Sequence, residues 1–161
     1  MGKVLLKRTM KTDGGRDGTI TSKDRDFSLS LAKPVEMGGQ KNQDKSNPEE
    51  LFAAGYSACF ASSMEYIMMS ESIEYKSFYA EATCALVEDP SGGFKFAITM
   101  HASVDGVDED TKQHVVDQAY AFCPYSKAIR GNVDVSLVVG WDLFILKKTA
   151  MPVFCWACGF F

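Results

Sequence analysis

Apolar and polar positions alternate in the first third of the chain in a pattern that predicts strands. Residues 4–6 are apolar between polar neighbours and predict a first strand, and residues 19–21 and 27–31 predict two more. In the last of these, apolar residues alternate with serines, which is the period of a half-buried strand. The glycine-rich residues 13–18 predict a turn, and residues 33–45 predict a loop.

A long helix is predicted to begin after Asn47. Asn47 is a good N-cap, and Pro48 suits the first helical position. Glu50 falls at the third helical position, where its negative charge interacts favourably with the positive end of the helix dipole. We expect the helix to run to about Ser70. Its residues 51–61 are apolar or small nearly all round, which predicts burial on every side.

The second half of the chain predicts a hairpin followed by a helix. Residues 75–88 and 94–105 read as strands, joined by a turn at 89–93 that contains proline and two glycines. A helix is predicted from Asp108, with Val115, Ala119 and Phe122 on one apolar stripe.

Pro124 interrupts that helix directly after Cys123. A short helical piece to Ile129 is then predicted, with Cys123 at its N-cap, followed by a final strand over residues 133–139 that could continue through 141–146. The order β-β-β-α-β-β-α-β, with hairpins and few crossovers, predicts an α+β fold with a largely antiparallel sheet.

Composition narrows the class of protein. The chain has 161 residues, 46% of them hydrophobic and 12% aromatic, which predicts one folded domain rather than disorder. The net charge is −4 and no long basic block is present, so nucleic-acid binding is disfavoured. No secretory signal and no long uncharged apolar window is found. We therefore expect a cytoplasmic protein without membrane association, in a compartment where thiols are normally reduced.

The cysteine count of five is odd and too sparse for a disulfide scaffold. Cys59 lies inside the apolar helix, where it could be either a small core residue or a reactive thiol. Cys123 is different, because a helix N-terminus stabilises a thiolate. Cys84 lies in mid-strand among small residues and is interpreted as packing.

Two charged residues are candidates to act together. Arg16 lies on the glycine-rich turn and Glu49 in the first turn of the long helix, and each could be an ordinary solvated or dipole-paired charge. Alternatively, a guanidinium beside a thiol lowers its pKa, and a carboxylate orients the guanidinium. Ten residues separate Glu49 from Cys59, about 15 Å on a straight helix. Three arrangements would reconcile this distance with a shared site. The helix could bend near Gly55, Arg16 could reach only one of the two residues at a time, or Glu49 could act across a dimer interface.

Metal and cofactor sites are not predicted. His101 and His114 lie far from every cysteine in the sequence, and the pair Cys155 and Cys158 lacks a second pair to complete a zinc site. No phosphate-binding loop, nucleophilic serine motif or nucleotide fingerprint is present.

Four segments together resemble the organic hydroperoxide resistance (Ohr) proteins of the OsmC-like superfamily. They are residues 46–60 (SNPEELFAAGYSACF), residues 123–135 (CPYSKAIRGNVDV), the arginine turn 14–18 (GGRDG) and the loop 36–39 (EMGG). The resemblance covers about residues 1–139. It implies an intertwined homodimer with the OsmC-like fold, in which mainly antiparallel sheets surround a long buried central helix.

The resemblance also implies a thiol peroxidase that needs no cofactor. Cys59 would be oxidised to a sulfenic acid by an organic hydroperoxide, Cys123 would close a disulfide with it, and Arg16 and Glu49 would form the activating network. The reductant would be a dithiol on a lipoylated protein. Two other functions stay open from the residues alone: a redox sensor that uses the same cysteines without turnover, and a carrier of small hydrophobic molecules.

Residues 140–161 depart from the family pattern. They include a strongly apolar stretch from Met151 to Phe161, and the resemblance explains none of it. Either these residues form a tail that packs on the dimer or a neighbouring chain, or they are a non-native extension. We therefore divide the chain into an Ohr-like domain at residues 1–139 and an extension of unknown role.

Overall fold

Two three-stranded sheets and three α-helices make up the described part of the chain. The computed structural model describes residues 2–41 and 44–140, so the predictions for residues 141–161 lie outside it. In chain order the elements are β1 (Met10–Asp13), β2 (Thr19–Ser22), β3 (Ser28–Ser30), α1 (Pro48–Ser70), β4 (Ser77–Glu88), β5 (Phe94–Asp105), α2 (Glu109–Phe122), α3 (Pro124–Ile129) and β6 (Asp134–Val139). The α+β class is as predicted.

The first strand lies later than the sequence pattern indicated. β1 pairs antiparallel with β2, from Met10 opposite Ser22 to Asp13 opposite Thr19. The glycine turn between them sets this register, and the pairing extends only to Thr9, whose carbonyl accepts from the Lys23 amide. Among residues 2–41 and 44–140, no strand pairs with residues 4–6, and their side chains are exposed, so the predicted strand at 4–6 is wrong.

The start of α1 is as predicted. The Asn47 side chain accepts a hydrogen bond of 2.9 Å from the Glu50 amide, and Pro48 is the first helical residue. The Ser46 hydroxyl donates to the Glu50 carboxylate, which closes the cap. The expected burial on all sides is not found, because the sheet and α2 cover only one face of α1. Ala54 and Ala58 on the other face are exposed in the single chain.

The second sheet carries the core. β4 and β5 form the predicted antiparallel hairpin, and β6 adds to β5 in parallel, with Ala97 opposite Asp134. The fully buried core side chains come from α1, β5, α2 and the start of α3: Tyr56, Phe60, Met64, Met68, Met100, Val115, Val116 and Cys123. Phe122 does not continue the predicted stripe of α2. It is 41% exposed and stacks on Tyr66, because the helix ends there and turns into α3.

The first sheet stands apart from this core. Its strands contact mainly one another, and its links to the rest of the described chain include a bridge from Leu31 to Ser46 and an ion pair described below. Within residues 2–41 and 44–140, no helix is long and apolar enough to cross a membrane.

Candidate redox site

The structure brings Cys59 and Cys123 into contact although they lie 64 positions apart in the sequence. Cys59 is on α1 and half-buried, while Cys123 is fully buried at the N-cap of α3. Their sulfur atoms are 3.4 Å apart, with the Cys123 thiol donating toward Cys59. A disulfide bond is about 2.05 Å long, so the sulfurs need to approach by about 1.4 Å to close one.

The backbone of Tyr125, near the start of α3, hydrogen-bonds the Cys59 sulfur. Cys123 occupies the predicted N-cap position, but its side chain makes no capping hydrogen bond. Burial raises the pKa of the Cys59 thiol, and its neighbour Cys123 adds to the rise, while a hydrogen bond from the backbone of Tyr125 works in the opposite direction. In the single chain, therefore, the net balance favours the protonated thiol of Cys59.

Aromatic rings share the core with the thiol pair, because Cys123 belongs to the same buried cluster as Tyr56 and Phe60 and Cys59 packs against that cluster. Tyr56 stacks on Tyr125 with 6.0 Å between ring centroids, and Phe52 and Phe60 meet Tyr56 edge-on. Gly55 makes room for this cluster, because a Cβ there would lie 2.7 Å from the Tyr125 phenol oxygen. The thiols thus lie against an apolar wall.

A buried hydroxyl pair beside the cysteines was missed by the sequence reasoning. Tyr56 and Ser126 share a hydrogen bond of 2.9 Å, and both are fully buried. Their spacing was a usable signal: Tyr56 lies three residues before Cys59 and Ser126 three residues after Cys123, so each is one helical turn from its cysteine.

Arg16 and Glu49, which the sequence left open as either separate charges or a pair, form an ion pair. Arg16 lies on a one-turn 3-10 helix, Gly15–Asp17, and its two terminal nitrogens donate to the two Glu49 oxygens at 2.8 and 2.5 Å. The Glu49 side chain is only 15% exposed. The hydrogen bonds to Arg16 hold the pKa of Glu49 below its usual value, and those to Glu49 raise the pKa of Arg16. Such a two-pronged pair fixes the plane of the guanidinium.

The two pairs do not come together within one chain. α1 is a continuous helix through Gly55, so the ten residues from Glu49 to Cys59 correspond to about 15 Å. Arg16 is not among the groups that shift the pKa of Cys59.

Glu49 instead borders a groove of about 880 Å³, whose mainly apolar lining includes Met37, Ala53, Cys84 and Phe94. Burial raises the pKa of the Cys84 thiol, and the Glu49 charge adds to the rise. Cys84 is therefore held as a neutral thiol. It sits near the charged pair rather than near the other two cysteines.

Comparisons with known proteins agree on one family. The model of the family described as OsmC-like protein matches residues 39–138. The chain is 44% identical over 140 residues to organic hydroperoxide resistance protein-like 2 of Staphylococcus epidermidis, covering 86% of this chain and 98% of that one. It is 40% identical over 134 residues to organic hydroperoxide resistance protein OhrB of Bacillus subtilis, covering 83% and 97%.

A solved structure gives the same result. The crystal structure of an organic hydroperoxide resistance protein from Legionella pneumophila superposes with a TM-score of 0.81 at 38% identity. The match covers 86% of this chain and 100% of that one.

Proposed function

Because the chain belongs to the OsmC-like family, among the organic hydroperoxide resistance proteins, we propose that it is a thiol peroxidase that reduces organic hydroperoxides to alcohols. The observation that carries the proposal is the contact of Cys59 with Cys123 at 3.4 Å. When a peroxide oxidises one of two thiols at this distance, the two sulfurs can join as a disulfide without a cofactor.

The proposed cycle has three balanced steps. The Cys59 thiolate attacks the terminal peroxide oxygen, the O–O bond breaks, and the alkoxide takes up a proton and leaves as the alcohol. Cys59 is then a sulfenic acid. The Cys123 sulfur attacks the Cys59 sulfur, the S–O bond breaks, and water leaves as the disulfide forms. A dithiol, which we propose to be a lipoyl group on a partner protein, restores both thiols by exchange.

The first step needs a thiolate, whereas burial in the single chain raises the pKa of Cys59. A nearby guanidinium is the usual remedy. We propose that the Arg16–Glu49 pair of one subunit activates Cys59 of the partner subunit in an intertwined homodimer. Two open surfaces support this arrangement: the exposed face of α1 around Ala54 and Ala58, and the first sheet, which packs little on its own chain.

The surroundings of the thiols also suggest the substrate class. The rings of Phe52 and Tyr125 keep part of their surface exposed on the core that Cys59 packs against. Each methylene of a substrate buried there contributes about 0.8 kcal/mol, which favours alkyl over hydrogen peroxide. We assign this activity to residues 1–139 and no role to residues 140–161.

Turnover tests the proposal directly. The protein is mixed with cumene hydroperoxide and a lipoyl dithiol, and loss of peroxide is followed. We expect Cys59→Ser to abolish turnover and Cys84→Ser, the matched control at a cysteine outside the pair, to retain it. Full activity in Cys59→Ser would refute the peroxidase assignment, and disulfide formation without turnover would favour the redox-sensor alternative.

Mixed dimers test where Arg16 acts. Chains carrying Arg16→Ala are unfolded and refolded together with an equal amount of chains carrying Cys59→Ser. If the pair acts across the interface, half of the dimers are mixed and each contains one intact site, so about a quarter of the parental activity returns. If Arg16 serves Cys59 of its own chain, no mixed dimer contains an intact site and the mixture stays inactive.

A further inference from the structure

The short helix α3 is attached to the molecule through few buried side chains. It spans Pro124–Ile129, and Ser126 is the residue of this helix that is fully buried. Six residues gain little stability from their own helical hydrogen bonds. Cys123 joins α3 to the end of α2, where its amide donates to the Ala119 carbonyl at 2.8 Å. The rotation of α3 about this junction, and with it the direction of the Cys123 thiol, therefore depends on the contacts of α3 with α1 and α2.

Two of those contacts lie about one helical turn apart. The Cys123 and Cys59 sulfurs are 3.4 Å apart, and the Ser126 and Tyr56 oxygens are 2.9 Å apart. The Tyr125 ring also stacks on Tyr56, and the two polar contacts separated by a turn add to this stacking in fixing the rotation of α3 against α1. The sulfur contact is weak until oxidation, so of these two contacts the hydroxyl bond is the stronger in the reduced site.

Tyr56 is well placed to act as the fixed side of this contact. Its ring is fully buried and is held by Tyr125 on its face and by Phe60 at its edge. Burial raises the pKa of Tyr56 to about 12, so its hydroxyl keeps its proton at any pH at which the thiols react.

We propose that the Tyr56–Ser126 hydroxyl pair is a positioning pair, which holds the Cys123 sulfur in reach of Cys59 and so governs the closing of the disulfide. Neither hydroxyl exchanges a proton with the reacting sulfurs, so neither is a catalytic residue. Two experiments test this role. One measures the disulfide equilibrium in a redox buffer and is independent of the proposed function, and the other follows oxidation by a peroxide and rests on the proposed function.

The redox-buffer arm measures the equilibrium of the Cys59–Cys123 disulfide against oxidised and reduced dithiothreitol. Oxidised dithiothreitol accepts two electrons and two protons from the thiols, and the species are counted by alkylation and mass spectrometry. Tyr56→Phe removes one oxygen and keeps the ring. We expect it to lower the equilibrium constant for the disulfide about tenfold, equivalent to about 30 mV. Ser126→Ala is the milder second variant and should act in the same direction.

A double variant and a control separate positioning from general damage. Tyr56→Phe combined with Ser126→Ala should lower the constant no further than Tyr56→Phe alone, because both changes remove the same bond. Tyr66→Phe removes a hydroxyl from an exposed tyrosine on the same helix and should leave the constant within twofold of the parent.

The peroxide arm follows one equivalent of cumene hydroperoxide. In Tyr56→Phe we expect sulfenic acid to form at the parental rate and the disulfide to close about tenfold more slowly, so that dimedone traps more sulfenic acid. A merely structural role would slow both steps in parallel with the loss of stability.

Two results would overturn the positioning role. In the first, both single variants show disulfide equilibrium constants and disulfide-closing rates within twofold of the parent. In the second, the parent protein forms no Cys59–Cys123 disulfide in the dithiothreitol buffer. If the buffer constants shift as expected but the parent forms no sulfenic acid with peroxide, the proposed function fails and the positioning role stands.

Discussion

A substitution of Gly55 by alanine tests the packing of the aromatic cluster beside the thiols. Glycine inside an exposed helix costs about 1 kcal/mol relative to alanine, so Gly55→Ala would ordinarily stabilise the protein by that amount. Here the added Cβ would lie 2.7 Å from the Tyr125 phenol oxygen and 3.2 Å from its Cζ atom. The ring therefore has to move by about 0.7 Å to reach ordinary contact near 3.4 Å.

The size of the effect follows from what holds that ring. Tyr125 stacks on Tyr56 and meets Phe52 edge-on, while 38% of the residue remains exposed. Overpacking of this kind costs about 1–3 kcal/mol, and the exposed side of the ring places the cost toward the lower half of that range. After the gain of about 1 kcal/mol in helix propensity, we expect Gly55→Ala to lower the free energy of unfolding by at most about 1 kcal/mol.

The assay is urea unfolding at one protein concentration with excess dithiol, so that the thiols stay reduced and any subunit association is held constant. Tyr125→Phe supplies the matched background, because it removes the phenol oxygen that the new Cβ would approach most closely. In that background, Gly55→Ala should be neutral or stabilising. A gain of about 1 kcal/mol from Gly55→Ala in the parent would refute the reasoning.

The remaining predictions concern the ion pair and the core. Arg16 holds the pKa of Glu49 below its usual value, so the stability it adds is present above about pH 4.3 and is lost as the pH falls through the native pKa. Between about pH 6 and pH 3, the free energy of unfolding measured in urea should therefore fall less in Glu49→Gln than in the parent. Parallel pH profiles for the two proteins would contradict this role of the ion pair. Phe60→Ala should lower the free energy of unfolding by about 3–5 kcal/mol, while Phe94→Ala, 67% exposed, should change it by less than about 1 kcal/mol. Equal losses of unfolding free energy in the two variants would contradict the assignment of Phe60 to the core and of Phe94 to the surface.

Local signals in the sequence predicted most of the helical framework. Asn47 and Pro48 marked the start of α1 because capping depends on neighbouring residues, and Pro124 marked the break that puts Cys123 at a helix start. Residues 4–6 failed because strand formation depends on a partner strand, which the local pattern does not contain. The predicted burial of α1 on every side was not found, because the second sheet and α2 pack on one face of the helix and Ala54 and Ala58 on the other face are exposed.

The candidate site was predicted unevenly for the same reason. The contact of Cys59 with Cys123 and that of Arg16 with Glu49 join residues far apart in the sequence. The residues alone left the Arg16–Glu49 pair as one of two alternatives, and the resemblance to the Ohr proteins suggested the cysteine pair. Local capping rules assigned the free amides of α3 to Cys123, whereas the fold turns the Tyr125 amide toward Cys59. That choice depends on how α3 docks on α1, which no local pattern fixes.

Mass spectrometry after a single oxidation tests the central claim most directly. The reduced protein is treated with one equivalent of cumene hydroperoxide, alkylated and digested. The account predicts a mass loss of two hydrogen atoms, a peptide that joins Cys59 to Cys123, and Cys84 fully alkylated as a free thiol. An unmodified Cys59, or a crosslink from Cys59 to Cys84 in place of Cys123, would contradict it.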